Sequence, residues 1–306
     1  MKKVDFSFTV IIPTYNRIEY LKESIKSVRL QTFRNWKLHI VDNSSTDGTK
    51  EYLNNLIKED NRIIYDTVSN NWIIAFSRNF ALKKATSDAV SFLDDDDIWY
   101  SNKLMDDYLI LKEREGLVYS RAHSFTDQKE FIRNLPTRKL NHKNDIYQLL
   151  HFGNLFTTST ISFSLNEKTR YCFFNESAEL RTWEDYELWV KLLSNCSMKP
   201  FFTGRISTKY RVSEFQNSSY AQDIKNANLC SKFFVELYNL YRIKTKKNLP
   251  LWAHYNNMYA FYCLKKYKNS LLSLFYVSII SLRTIDIPFL FKSLAKYLSL
   301  VLNLKY

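Results

Sequence analysis

Four consecutive aspartates, Asp94 to Asp97, stand directly behind the apolar run Ala89-Val90-Ser91-Phe92-Leu93. A short β-rich apolar run bounded in this way reads as a buried strand that carries carboxylates to its solvent end. Four neighbouring carboxylates repel one another, so each must be solvated, protonated or neutralised by a cation. That restricts the chain to folds in which a strand end opens onto a polar rim.

The flanking sequence supplies more such strands. Phe8 to Ile12 is an apolar run stopped by Pro13, and Thr14 or Asn16 is placed to cap a helix in which Ile18, Leu21, Ile25 and Val28 keep helical spacing. Leu38 to Val41 is a second strand and ends at Asp42. The turn-forming loop Asn43-Ser44-Ser45-Thr46-Asp47-Gly48 follows, then a helix over Thr49 to Ile57. Arg62 to Tyr65 and Leu117 to Tyr119 read as strands and Ala75 to Ala85 as a helix. Residues 120 to 150 read as a polar connection. Ser159 to Phe163 is expected to be a strand, Thr182 to Leu193 a helix and Ile206 to Val212 a strand. Alternating strands and helices predict an α/β fold on a mostly parallel sheet with right-handed crossovers. Ligands of such sheets bind beyond the carboxyl ends of the strands, where Asp42 and Asp94 to Asp97 are both expected.

Composition excludes several classes. With 306 residues, 45% of them hydrophobic and 25% charged, the chain can bury a large core, but it has only four glycines. Neither a G-x-G-x-x-G nor a Walker-type phosphate loop is present. Cys172, Cys196, Cys230 and Cys263 are far apart, which removes C-x-x-C zinc and redox motifs and fits a reducing compartment. The start, Met1-Lys2-Lys3-Val4-Asp5, is broken by an acid and followed by a strand-length run, so it does not read as a signal peptide.

Each candidate residue has two readings in isolation. Asp94/Asp96 and Asp95/Asp97 are overlapping D-x-D triplets that suit a hard divalent cation, or else a solvated acidic turn. A phosphatase-type aspartate nucleophile lacks small hydroxyl partners, because Ile98-Trp99-Tyr100 follows. Asp42 suits a base or ribose contact, or a loop cap. Arg78 suits a pyrophosphate, or a solvated helix face. The carboxylates in Trp183-Glu184-Asp185-Tyr186-Glu187 lie among aromatics that can raise a pKa towards that of a general base, or they form an ordinary acidic helix start.

Taken in order, these motifs change the balance. Val10-Ile11-Ile12-Pro13-Thr14-Tyr15-Asn16-Arg17, Val41-Asp42-Asn43-Ser44-Ser45-Thr46-Asp47-Gly48-Thr49, Phe92-Leu93-Asp94-Asp95-Asp96-Asp97 and Glu184-Asp185-Tyr186 resemble the family 2 glycosyltransferases of GT-A fold. The resemblance covers about residues 6 to 215. It implies inverting transfer of a sugar, of the hexosyl class, from a nucleotide-diphosphate donor, with a UDP-sugar favoured. By resemblance Pro13, Thr14 and Tyr15 line the nucleotide pocket, Asp42 contacts the base, and Arg78 and Asp95 belong to the same nucleotide site. Asp94 and Asp96 hold a divalent cation (Mn²⁺ or Mg²⁺), Asp96 more directly. Asp185 is the catalytic base with Glu184 beside it. Arg78-Asn79 matches the family's Arg-Asn pair, and Phe173-Phe174-Asn175-Glu176 and Tyr210-Arg211 match its flanking elements. Three positions depart from the pattern. Asn70-Asn71-Trp72-Ile73 lacks the glycine of Asn-x-Gly, Phe173 replaces a common glycine, and Ser213 stands where histidine often follows Tyr-Arg.

The chain's net charge of +13 sits mostly at one end. From Lys225 to Tyr306 there are thirteen Lys and Arg against Glu236 and Asp286 alone, which is +11. Two domains are expected: 1–224, nucleotide-sugar binding and catalytic, and 225–306, helical and basic. Leu271 to Leu282 is only about twelve residues, short of the roughly 20 that span a bilayer. Ile285 to Leu304 is interrupted by Asp286, Lys292 and Lys296. Such helices suit contact with a membrane surface, or else simple packing on the catalytic domain. No nucleic-acid motif accompanies the charge, so no nucleic-acid partner is expected. The resulting expectation is a cytoplasmic glycosyltransferase, peripheral at the cytosolic face of the inner or plasma membrane. Its acceptor would be a glycan, lipid-linked, in surface polysaccharide or lipopolysaccharide synthesis. Two other readings compete: a non-catalytic membrane-associated sugar-nucleotide-binding protein, and a nucleotidyltransferase that releases pyrophosphate.

Overall fold

In a computed structural model of the chain, the residues described are 6–141, 145–152, 154–180 and 183–212, together with Leu274 and Leu294. The chain divides into two compact units, Met1–Ile146 with Asn154–Glu214 and Tyr147–Gly153 with Phe215–Tyr306. The basic segment that begins at Lys225 lies outside the described residues, apart from Leu274 and Leu294.

The elements run in the order β1 (Phe8–Thr14), α1 (Ile18–Arg29), β2 (Trp36–Asp42), α2 (Thr49–Glu59), β3 (Ile63–Thr67), α3 (Ile74–Lys84), β4 (Ala89–Phe92), β5 (Ile98–Trp99), α4 (Lys103–Leu111), β6 (Leu117–Phe125), β7 (Arg133–Asn134), α5 (Asp145–Phe152), β8 (Ser162–Ser164), α6 (Glu184–Ser194) and β9 (Pro200–Arg211). Among the described residues they build a nine-stranded sheet, ordered β3-β2-β1-β4-β8-β6-β9-β5, with β7 against β6. β3, β2, β1 and β4 are mutually parallel, and β8 enters antiparallel between β4 and β6. The mixed α/β fold with a mostly parallel half is the one the strand-helix alternation predicts.

β1 is buried along its whole length, as a central parallel strand must be. It runs through Pro13 to Thr14 and does not stop at Ile12. Pro13 pairs with Val41 of β2, whereas β4 ends opposite Ile11, so the proline sits where the strand has one neighbour and its missing N–H costs little. α1 turns Leu21, Ile25 and Val28 inwards, and each such buried aliphatic side chain contributes about 1.5–3 kcal/mol by leaving water. Neither Thr14 nor Asn16 caps α1. Asp47 does so from the next loop: its Oδ2 accepts the Ile18 N–H at 2.9 Å, while Oδ1 accepts the Thr49 hydroxyl at 2.6 Å at the start of α2. Gly48 between them has φ +91°, a left-handed conformation that disfavours other residues there.

Several elements escape a reading by apolar pattern. The region 120–150, expected as a polar connection, contains most of β6, then β7, and the greater part of α5. The polar Ser120, His123 and Ser124 of β6 are buried, which hides the strand from hydrophobic periodicity. α4 is masked by the fully buried Lys103, whose ammonium reaches Asp107 and the Ser91 and Ser162 hydroxyls beneath the sheet. Ser159 begins no strand, since Thr158–Thr160 is a 3₁₀ turn and β8 starts at Ser162. β9 starts at Pro200, six residues before Ile206.

Gly116 precedes β6 at a close backbone crossing. A Cβ there would stand 2.4 Å from Phe201 Cε2 and 2.6 Å from the Lys199 carbonyl oxygen. The ring can shift but the carbonyl is held in the β6–β9 pairing, so Gly116→Ala is expected to destabilise by about 1–3 kcal/mol in urea unfolding. An unchanged midpoint would show that the crossing is not tight.

Candidate functional site

The carboxyl ends of the parallel strands share one rim. Thr14 of β1 lies in register with Asp42 of β2, and Asp42 with Thr67 of β3. Asp42 is buried. Its Oδ1 accepts the Ser45 N–H at 3.0 Å and hydroxyl at 2.5 Å, and Oδ2 accepts the Tyr65 hydroxyl at 3.3 Å. The following loop is tied back to the end of β1: Asn16 Oδ1 accepts the Thr46 N–H at 2.7 Å, and the Asn16 N–H donates to Ser45 Oγ at 2.8 Å. Asn16 and Ser44 take left-handed φ of 49° and 59° to make this junction. Pro13, Thr14, Tyr15 and Asp42 therefore meet on one wall.

The four aspartates follow β4 on the same rim, and each has a distinct environment. Asp94 accepts from Arg78 Nη2 at 2.7 Å, and its N–H donates to Ser159 Oγ at 3.1 Å. Asp95 is buried, with Oδ2 accepting the Thr14 hydroxyl at 2.7 Å and Oδ1 accepting from Arg17 Nη1 at 3.2 Å. Burial pushes its carboxyl up to about 7, with Asp96 and Asp94 adding to the rise and Arg17 and Thr14 opposing it. Asp96 is more open and accepts from Arg17 Nη1 at 2.7 Å; burial first, then Asp94, raises its pKa. Asp97 is wholly buried and accepts the Arg211 N–H at 2.9 Å; burial, then Asp96 and Asp94, holds its carboxyl well above the usual carboxylate range. The cluster is thus neither a solvated turn nor four equivalent ligands. Its carboxyls are partly desolvated, and three of them, Asp94, Asp95 and Asp96, are held by guanidinium groups.

The second acidic motif joins the first through one residue. Arg78, 3% exposed on α3, donates through Nη1 to Glu184 Oε1 at 2.9 Å and through Nη2 to Asp94 Oδ1 at 2.7 Å. Read from sequence as suited to a pyrophosphate or to a solvated helix face, Arg78 is buried with both terminal nitrogens bonded to protein carboxylates. Asn79 beside it fixes the 173–176 segment: Nδ2 donates to the Phe174 carbonyl and to Glu176 Oε1, each at 2.8 Å, and Oδ1 accepts the Phe174 N–H at 2.9 Å. α3 therefore buries Ser77, Arg78 and Asn79 beside its apolar Ala75, Ala81 and Leu82. At the start of α6, Asp185 Oδ2 accepts from Asn154 Nδ2 and the Thr158 hydroxyl, both at 3.1 Å. Burial raises its carboxyl to about 7, with Glu184 adding to the shift and Arg78 and Thr158 opposing it.

Some of these residues were given no role by sequence reading. Arg17 was visible only as the end of a motif. Asn154, Thr158 and Ser159 carry no periodic or charge signal. Arg211, next to Tyr210, reaches Asp127, Glu23 and the Asp96 carbonyl, and so braces the aspartate turn from β9. Of the three departures, Trp72 has φ +65°, Phe173 packs with Lys83 Nζ 5.3 Å from its ring centre, and Ser213 lies outside the described residues.

The donor set fits a hard divalent cation. Asp94 and Asp96 offer oxygen atoms, and burial together with repulsion from Asp94 raises Asp96, a charge load of the kind a cation relieves. Among the described residues no three His, Cys, Asp or Glu side chains form a metal-holding group. Mg²⁺-type sites commonly use one or two carboxylates and take further oxygens from substrate phosphates.

The family model for glycosyl transferase family 2 matches residues 9–171, a span that holds β1 to β8 and the aspartate cluster. The chain belongs to glycosyl transferase family 2. It is 30% identical over 216 residues to the Escherichia coli UDP-Glc:alpha-D-GlcNAc-diphosphoundecaprenol beta-1,3-glucosyltransferase WfgD, covering 70% of this chain and 81% of that one. Among solved structures it resembles S. aureus TarS 1-349 in complex with UDP-GlcNAc, with a TM-score of 0.57, 19% identity and coverage of 97% of this chain and 82% of that one. It also resembles the mannosyltransferase PcManGT of Pyrobaculum calidifontis in complex with GDP-Man and Mn²⁺, with a TM-score of 0.54, 15% identity and coverage of 95% and 86%. At these identities the structural likeness speaks for the fold, which is that of GT-A glycosyltransferases. This family 2 chain is a glycosyltransferase; some of its relatives are named for undecaprenol-linked acceptors and others for teichuronic acid or amylovoran biosynthesis. No helix among the described residues is long and apolar enough to cross a membrane.

Proposed function

We propose that this family 2 glycosyltransferase moves a sugar from a UDP-sugar to a hydroxyl of a lipid-linked glycan, with inversion at the anomeric carbon. The observation that carries the reading is the Asp94–Arg78–Glu184 bridge. It holds the strand-end carboxylates beside the acidic start of α6, which supports donor and acceptor chemistry lying side by side. Uridine is favoured by the wall of Thr14, Tyr15 and Asp42, and by the UDP-Glc donor in WfgD's name. Asp185 takes the proton of the attacking hydroxyl. The new bond from that oxygen to the anomeric carbon forms on the face opposite the bond to the diphosphate oxygen as the latter breaks. A carboxyl held near 7 is ionised often enough to accept that proton at neutral pH and basic enough to hold it. Asp94 and Asp96 would hold a divalent cation, which would supply charge stabilisation to the leaving diphosphate. Arg78 keeps the two carboxylate motifs in register rather than contacting phosphate. The basic segment after Lys225 suits the anionic face of a membrane that carries such an acceptor.

The full chain, incubated with a panel of UDP-, GDP- and dTDP-sugars and Mn²⁺ or Mg²⁺, is expected to transfer from a UDP-sugar to an undecaprenyl-diphosphate-linked glycan, seen as a mass increment of one sugar on the lipid. Transfer from another nucleotide class alone would refute the uridine assignment. Transfer to soluble sugars alone would refute the lipid-linked acceptor.

A further inference from the structure

The loop between β3 and α3 holds an anomaly that the proposed chemistry does not use. Asn71 and Trp72 both have positive φ, 49° and 65°. Asparagine enters this region readily, but a bulky aromatic there is an outlier that persists only when its surroundings hold it. The hold is visible. Asn70 is buried, its N–H donates to Asn43 Oδ1 at 2.8 Å, its Nδ2 donates to Ser77 Oγ at 2.8 Å, and its Oδ1 accepts the Trp72 N–H at 2.9 Å. This clamp pushes an indole out to 63% exposure, where hydrophobic burial cannot explain it. Its described ring contact is with Tyr15: the two rings meet edge to face, with centroids 4.8 Å apart and planes at 79°.

We propose that Trp72 is a positioning residue of the nucleotide pocket. It fixes the orientation of the Tyr15 ring and extends the aromatic surface on which the donor's uracil base stacks. The proposal rests on the uridine-diphosphate reading above. It accounts for the strain, because a glycine would relax the backbone and leave Tyr15 without its lateral support. It also accounts for the exposure, since a surface that waits for a base must face solvent until the base arrives.

The test is calorimetric titration of the full chain and its Trp72→Gly and Trp72→Phe variants with UDP, with UMP, and with inorganic pyrophosphate in Mn²⁺. Trp72→Gly is expected to raise the Kd for UDP and UMP by the same factor, about tenfold, the size of one aromatic stacking contact. Pyrophosphate, which has no base, binds wild type and variant alike. Trp72→Phe returns the nucleotide Kd to within about threefold of wild type, since one ring replaces another. The melting temperature of Trp72→Gly stays level or rises, because the left-handed strain is released. Unchanged UDP and UMP affinity in Trp72→Gly would overturn the proposal, and so would equal weakening of all three ligands. A wild-type chain that binds neither UDP nor UMP would instead remove the uridine reading, and this inference with it.

Discussion

Asp185→Asn is expected to lower kcat by about 10²–10⁴-fold, the usual worth of a positioned general base, with little change in the donor KM. Asparagine keeps the size of the side chain and one acceptor for Asn154 and Thr158, so the fold at the start of α6 is preserved while the proton acceptor is lost. The pH dependence has a definite sign. Asp185 titrates near 7, so the wild-type rate falls as pH drops through that value and the base becomes protonated. Glu184 adds its charge to the rise, so Glu184→Gln shifts the acid limb to lower pH. Asp185→Asn abolishes that limb. Initial-rate profiles between pH 5 and 9 read all three, and near-wild-type turnover by Asp185→Asn would rule out this carboxylate as the base.

Asp96→Ala carries the second large effect. The loss of one oxygen ligand and of the charge balance at the diphosphate is expected to reduce transfer about a hundredfold or more, from the several kcal/mol of charge stabilisation a metal supplies. It should also weaken Mn²⁺ binding measured without acceptor. The fold is expected to survive, because Arg17 retains Asp95 as a partner and Asp95 retains Thr14. Wild-type rates in this variant, or in the presence of a chelator, would exclude the metal role.

The parallel half of the sheet was legible because its strands are uniformly apolar and its loops use Asn, Asp, Ser and Gly where turns require them. The other half, where parallel and antiparallel pairs mix, was not. β6 and β9 bury Ser and Thr in hydrogen bonds, as in the Ser120–Ser207 contact, and β6 buries His123 as well, so neither strand announces itself by apolar alternation. Among site residues, acids at strand and helix ends can be picked out because a carboxylate needs solvent, a cation or a partner. What the sequence alone could not tell was which partner each acid takes. Arg78 could as well have met phosphate, and only the packing of α3 against the 173–176 segment turns it towards Asp94 and Glu184. Arg17 and Arg211 were hidden for the same reason, since a guanidinium on the page looks identical whether it faces water or braces a turn.

The sheet order has a consequence for how the protein is made. β8 fills the place between β4 and β6, yet it emerges from the ribosome after both. Until residues 162–164 are synthesised, one edge of β4 is unpaired, and this buried strand offers open N–H and C=O groups to any extended segment nearby. Arg78 faces a similar delay. Asp94 is 16 residues away, but Glu184 is 106 residues downstream, so the guanidinium must wait for its second carboxylate. A chain stalled or truncated before β8 would carry a nearly complete parallel half-sheet with an adhesive strand edge, the kind of species that chaperones hold and that aggregates when they do not.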